Sequence, residues 1–202
     1  MSIQLSKAHV RRLFAFVAVA PLAIAAGCGG GGASDAGSDT SDTSAPAPPS
    51  ATPTTLSTCG LNNFATQLLQ RINTLRAAGA SCGSSGTFAP TAALSWNTQL
   101  TQAADVHSQD MAAANYFSHT GSNGSTFSQR IDATGYSWST AGENIAAGYS
   151  SVDAVMDGWI ASPGHCANLM NPNFSEVGVS CVPGTTATTY SSYWTMDLAK
   201  PR

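Results

Sequence analysis

Trp159-Ile160-Ala161-Ser162-Pro163-Gly164-His165-Cys166-Ala167-Asn168 is the stretch on which the reading of this chain turns. Just before it, Val152, Val155, Met156 and Trp159 recur at helical spacing, and Pro163-Gly164 interrupts that period. His165 is therefore expected at a helix end, where loops commonly present functional groups. Beyond Pro172 the pattern changes. Val177 and Val179 alternate before Cys181, and Tyr190 to Leu198 is rich in aromatic residues and Thr, which predicts two antiparallel strands joined through Pro183-Gly184.

Working back toward the N-terminus, Ala141-Gly142-Glu143-Asn144-Ile145-Ala146 sits between turn residues. Thr126 to Ala133 reads as a short helix closed by Gly135, and 117–125 as a Gly/Asn loop. A long helix is expected from Trp96 to about Tyr116, with Ser95 as N-cap and Leu100, Ala104, His107, Met111 and Ala114 on one stripe. An earlier helix spans Leu61 to Ala78, with Phe64, Leu68, Ile72 and Leu75 on its buried face and Gly79 at its end. Helices first and strands last, without repeated strand-helix units, predict an α+β domain.

The first 27 residues do not belong to that domain. Lys7, Arg11 and Arg12, then an apolar run from Leu13 to Ile24, then Ala25-Ala26-Gly27-Cys28 make an export signal, too short for a spanning helix. Its end resembles a lipobox, which would make Cys28 the acylated first residue of the mature protein, although Ala25 stands where that pattern most often has leucine. Residues 28–57 are Gly, Ser, Asp, Thr, Ala and Pro with almost no large apolar side chain, so they form a tether. The expectation is a domain over 58–202 anchored to the cell envelope, and to an outer membrane where one exists, since Gly29 resembles that sorting class.

Loss of the signal leaves five Lys or Arg against eleven Asp or Glu, a net charge of about minus six. With no basic stripe, nucleic acid is excluded as a partner. Cys59, Cys82, Cys166 and Cys181 are an even set in an exported chain and predict two disulfides. Of the three pairings, the local one is preferred: Cys59 with Cys82 across the first helix, and Cys166 with Cys181 between a turn and a strand. A cysteine metal site would want a close C-x-x-C pair, which is absent.

Five segments carry a resemblance. Asn115-Tyr116-Phe117-Ser118-His119, Ala141-Gly142-Glu143-Asn144-Ile145, Trp159 to His165 with Asn168, Glu176-Val177-Gly178-Val179 and Tyr193-Trp194-Thr195 occur in the order and approximate spacing of bacterial CAP (SCP/pathogenesis-related) domains. The resemblance covers essentially the whole globular part and implies the family's three-layer α-β-α sandwich around a small antiparallel sheet. It also implies a cleft. His119 matches the family's first cleft histidine and Glu143 one of its acids. The eukaryotic second acid and second histidine fall on Ser162 and Tyr193, so His165 is the natural replacement. Asp197 could supply the missing acid better than Glu176, which is expected to face solvent.

Two imidazoles and one carboxylate, His119, His165 and Glu143, are a ligand set for a divalent cation, zinc or magnesium, with an open position for water. The alternative is a structural network in which Glu143 orients both imidazoles. His107 shares a stripe with Leu100 and Met111 and is assigned to the core, as are Trp96 and Trp159. Ser118 and Ser162 neighbour histidines, but neither a G-x-S-x-G elbow nor H-E-x-x-H is present. The leading expectation is an anchored binding module for a lipid or other envelope ligand. A metal-assisted hydrolase (peptidase or esterase) and a purely structural lipoprotein are the alternatives.

Overall fold

The structure, a computed structural model, describes residues 56–202. The signal, Cys28 and most of the tether lie outside the described residues. Helix α1, Phe64–Ala78, follows from its period: Phe64, Leu68, Ile72 and Arg76 stand four apart and are the buried residues. Leu75 is only partly buried, and the fourth place on the stripe belongs to an arginine. Gly79 closes the helix at φ 74°, and a Cβ there would come within 2.9 Å of the Phe88 carbonyl oxygen. A two-strand ribbon follows, β1 (Ala80–Ser81) and β2 (Thr87–Phe88), around the loop that carries Cys82.

Strand β3, Ser95–Trp96, replaces the expected helix start. Helix α2, Thr98–Ala113, is capped instead by Asn97, whose side-chain oxygen accepts from the backbone N–H of Gln99 and Leu100. Local pattern favoured Ser95 as cap, but its residue pairs with Glu176 in the sheet, and that pairing sets where the helix can begin. Helix α3, Phe127–Ala133, opens on a capping box between Thr126 and Gln129. Strand β4 is Trp138–Ala147, so the segment around Glu143, left unassigned between its turn residues, is strand. Ser151 caps helix α4, Val152–Ala161, and Pro163 starts helix α5, Pro163–Met170. Pro163 breaks α4 and is the first residue of the next helix, which its fixed φ suits. His165 is thus inside a helix and not beyond one. Strands β5, Glu176–Pro183, and β6, Ser192–Pro201, complete the domain.

The sheet order is β3-β5-β6-β4. β4, β5 and β6 pair antiparallel, but β3 runs parallel to β5, so the sheet is mixed and not wholly antiparallel. Its two faces differ in chemistry. Val177, Val179, Trp194, Met196 and Leu198 meet Phe64, Leu68 and Ile72 of α1, Val155, Met156 and Trp159 of α4, and Leu169 of α5 in one apolar core. The other face lies under α2 and is largely polar, with Ser108 Oγ donating to Thr195 Oγ1 (2.9 Å) and Ser180 Oγ to Asp105 Oδ1 (2.6 Å). Helix α2 lies so close to β5 at Gly178 that a Cβ there would fall 2.1 Å from the Thr101 nitrogen. Helices on both faces make the three-layer α+β sandwich.

The disulfides are Cys59–Cys181 and Cys82–Cys166, with Cα separations of 5.2 and 5.5 Å, and this corrects the local pairing. The reason is length. Cys59 and Cys82 flank the 15 residues of α1, a rod of roughly 22 Å, whereas a disulfide requires Cα atoms within about 7 Å. Residues 57–59 instead lie along β5: Cys59 N donates to Cys181 O (2.8 Å) and Cys181 N to Ser57 O (3.0 Å).

Arg76 is fully buried with no acid beside it. Its guanidinium donates to four carbonyl oxygens, those of Ala92 (2.6 Å), Leu169 (2.6 Å), Asn171 (3.0 Å) and Phe174 (3.2 Å). Burial pulls its pKa below the usual value. The planar fork ties residue 92 to three carbonyls of the stretch 169–174, which a lysine ammonium cannot do. Arg76→Lys is expected to destabilise the domain by about 2 kcal/mol, the worth of one or two charge-assisted bonds, seen as a lower urea midpoint at unchanged m-value. An unaltered midpoint would show that the carbonyls are satisfied another way.

Candidate functional site

The loop bearing His119 is held from below. Past the end of α2 the chain turns at Asn115, in the left-handed region at φ 49°. Asp110, in the last turn of α2, accepts from the Tyr116 hydroxyl, from Ser122 N (2.8 Å) and from Ser122 Oγ (2.5 Å). Burial pushes its carboxyl up, but the Ser122 and Tyr116 hydrogen bonds outweigh burial and hold it below the ordinary value. His107 is wholly buried, as its stripe predicts, and its Nε2 lies 2.9 Å from the Ser118 carbonyl oxygen. A carbonyl only accepts, so Nε2 carries the proton and the ring is tied to the residue before His119. Burial is the main cause that lowers the His107 pKa.

Glu143 projects from β4 toward α2, with its side chain 1% exposed. One oxygen lies 2.7 Å from His119 Nδ1, and the other accepts from Arg130 Nη2 at 2.6 Å. Arg130, on α3 and 4% exposed, also donates to the carbonyls of Ser125 (3.0 Å) and His119 (3.2 Å). One guanidinium therefore joins the buried acid to both ends of the loop. His119 itself is 53% exposed. A carboxylate only accepts, so Nδ1–H is directed at Glu143, which orients the ring.

Asp197, on β6, is the cross-strand neighbour of Glu143. It is completely buried beneath α2, so it underlies the cleft and is not part of its surface. Burial raises its pKa well above the ordinary value, the Glu143 charge raises it further, and Arg130 opposes both. The folded state holds that proton more tightly than the unfolded chain, so this group costs stability as pH rises from its ordinary range through its folded pKa. Tyr193 is likewise fully buried, its hydroxyl donating to Asn115 Oδ1 at 3.2 Å.

His165 reaches the site from α5. Asn144 Nδ2 donates to its backbone oxygen (3.2 Å), and Asn168 Nδ2 donates to Asn144 Oδ1 (2.8 Å), which locks β4 against α5. Burial lowers the His165 pKa, and the nearby imidazole of His119 adds to that. Its ring lines a cavity of about 290 Å³ together with Ser162, Trp159, Phe117, Tyr149 and Tyr190. A larger groove, about 610 Å³, runs between α1 and α4, but Arg71 and Asp153 are its charged residues and no imidazole borders it. Glu176, expected at the surface, is partly buried and accepts from Asn97 Nδ2 (3.1 Å) and the Tyr136 hydroxyl. It therefore belongs to the α2 cap.

The three-ligand set of His119, Glu143 and His165 does not form a cation site here. Among the described residues no group of three His, Cys, Asp or Glu is placed to hold a metal ion. Glu143 has one oxygen on His119 and the other on Arg130, whose positive charge already occupies the neighbourhood. A zinc or magnesium ion would have to displace that guanidinium and leave its buried charge without the acid that balances it, which is costly. Among the described residues neither the His119 nor the His165 ring hydrogen-bonds to a hydroxyl or thiol, and all four cysteines are bridged. Sequence reasoning missed Arg130, because nothing local separates it from a surface arginine on a short helix.

The comparisons agree with this architecture. The model of the cysteine-rich secretory protein family, CAP, matches residues 69–198. The chain is 39% identical over 100 residues to "Uncharacterized protein YkwD" of Bacillus subtilis, covering 49% of this chain and 36% of that one. It is 35% identical over 88 residues to "Uncharacterized membrane protein YlbC" of the same organism, covering 44% of this chain and 25% of that one. The chain thus spans only about a third or less of those relatives. An SCP-domain extracellular protein from Bacillus anthracis superposes with a TM-score of 0.54 at 30% identity, covering 67% of this chain and 39% of the other. An outer surface protein from Borrelia burgdorferi shares the fold, with a TM-score of 0.53 at 18% identity over 68% of this chain and 89% of the other. With the sandwich, the Glu143-held histidine and a family match over most of the domain, the chain belongs to the cysteine-rich secretory protein (CAP) family.

Proposed function

We propose that this is an exported binding module, held at the cell envelope through Cys28, that seats a small envelope-derived ligand in the cleft between His119 and His165. The observation that supports this most is the setting of His119: a half-exposed imidazole oriented by a buried carboxylate that is itself fixed by Arg130. Such an arrangement pre-organises one hydrogen-bonding group for a partner from outside. Beside it lies an apolar cavity at the small end of ligand sites. The ligand's polar end would meet the imidazoles and its apolar part would enter the cavity. Among the described residues no hydroxyl or thiol is positioned by either imidazole, which favours binding over hydrolysis.

The test is an NMR titration of the purified protein against panels of envelope lipids and glycans. A true ligand is expected to shift the resonances of His119 and His165, and His119→Ala should weaken its binding by about tenfold, one hydrogen bond's worth, with the melting temperature little changed. The proposal fails if no compound perturbs the cleft, or if His119→Ala binds as the parent protein does.

A further inference from the structure

We infer that the apolar part of this cleft is an aromatic cage for a quaternary ammonium group. The inference rests on the binding-module reading and adds to it the chemical class of the ligand. Only three large apolar side chains are exposed among the described residues, and two of them, Phe117 (43%) and Tyr190 (38%), border this one cavity. They come from distant parts of the chain, one from the His119 loop and one from the β5–β6 connection. Exposing two aromatic rings at one place is unfavourable unless something covers them.

The geometry of the rings separates ligand classes. Phe117 and Tyr190 meet at 5.8 Å and 61°. A sugar ring stacks on one flat face, whereas rings set steeply to one another make walls, which suit a compact body that touches several of them. Tyr149 adds a further wall. Its ring can lie against α4 because residue 158 is glycine, where a Cβ would fall 2.4 Å from the Tyr149 hydroxyl oxygen. Trp159 also lines the cavity.

Ring electrostatics then favour a cation over a neutral apolar group. No Lys or Arg lines the cavity to oppose one, and no Asp or Glu competes with the rings for it. The negative faces of aromatic rings hold a methylated ammonium that cannot be strongly hydrated.

Calorimetry on the full exported protein tests this with a pair of equal shape. Choline is the cation, and 3,3-dimethylbutan-1-ol is its uncharged isostere. Choline is expected to bind about tenfold more tightly than the isostere, and Phe117→Leu, which keeps an apolar contact but removes the ring face, should abolish that preference. Equal binding of the two, or a preference that survives Phe117→Leu, overturns the cage and leaves the binding-module reading intact. The same holds if choline fails while a lipid or glycan shifts His119 and His165. Failure of every compound to reach the cleft overturns both.

Discussion

Replacing Cys59 and Cys181 together by alanine is expected to lower the stability of the domain by about 5 kcal/mol, because the bridge closes a loop of 122 residues. The corresponding loss for Cys82 with Cys166, 84 residues apart, is slightly smaller. Loops of the size that local pairing would close contribute only about 3 kcal/mol each. Chain-closure entropy thus makes the two connectivities distinguishable by magnitude as well as by peptide mapping. For a domain of this length the larger loss corresponds to a fall in melting temperature of roughly 10–20 °C. The first bridge should also have a local effect. Residues 57–59 lie along β5 through two backbone hydrogen bonds beside Cys181, so they should become the earliest proteolytic site in the alanine pair. Losses near 3 kcal/mol, or recovery of a peptide joining Cys59 to Cys82, would refute the long-range connectivity.

Arg130→Met is expected to cost about 3–5 kcal/mol at neutral pH, the penalty for leaving the other member of a buried ion pair without its partner. Glu143 and Asp197 stand side by side on the sheet, and Arg130 is the cation near both. Without it, two buried carboxyls can be accommodated only by taking up protons. The loss should therefore shrink as pH falls toward the carboxylate range and grow as pH rises, the direction in which the folded state binds more protons than the unfolded one. The double variant Arg130→Met with Glu143→Leu should recover much of the deficit, since an apolar replacement of a whole buried pair is far less costly than half of it. It should not recover cleft binding, because His119 would then have no acid to orient it. Urea unfolding of the three variants at two pH values measures this. A single-variant loss below about 1 kcal/mol, or a double variant worse than the sum of the singles, would show that the pair is not coupled as its geometry implies.

The helical periods of α1, α2 and α4 were legible in the chain, because burial on one face of a helix imprints a pattern of three and four residues on neighbouring positions. β4 was not. Its residues follow the rules of a strand only through β6, against which Glu143 pairs with Asp197, and no local spacing reports a partner more than fifty residues away. The short parallel strand at Ser95 and Trp96 escaped for the same reason, and with it the true start of α2. The cleft was half legible. His119 and Glu143 were named from their motifs and meet at 2.7 Å, while Asp197 and Tyr193 proved to lie beneath the surface and not in it.

The helical periods, the even cysteine count, the acidic balance and the five motifs that carry family membership can be read along the chain, since each is a property of composition or of near neighbours. Which cysteines join, that Arg130 pairs with Glu143, and that Phe117 and Tyr190 share one cavity were settled by packing alone. Those outcomes depend on distances between residues far apart in the chain, such as the length of α1 that holds Cys59 away from Cys82. Spacing along the sequence carries no record of them.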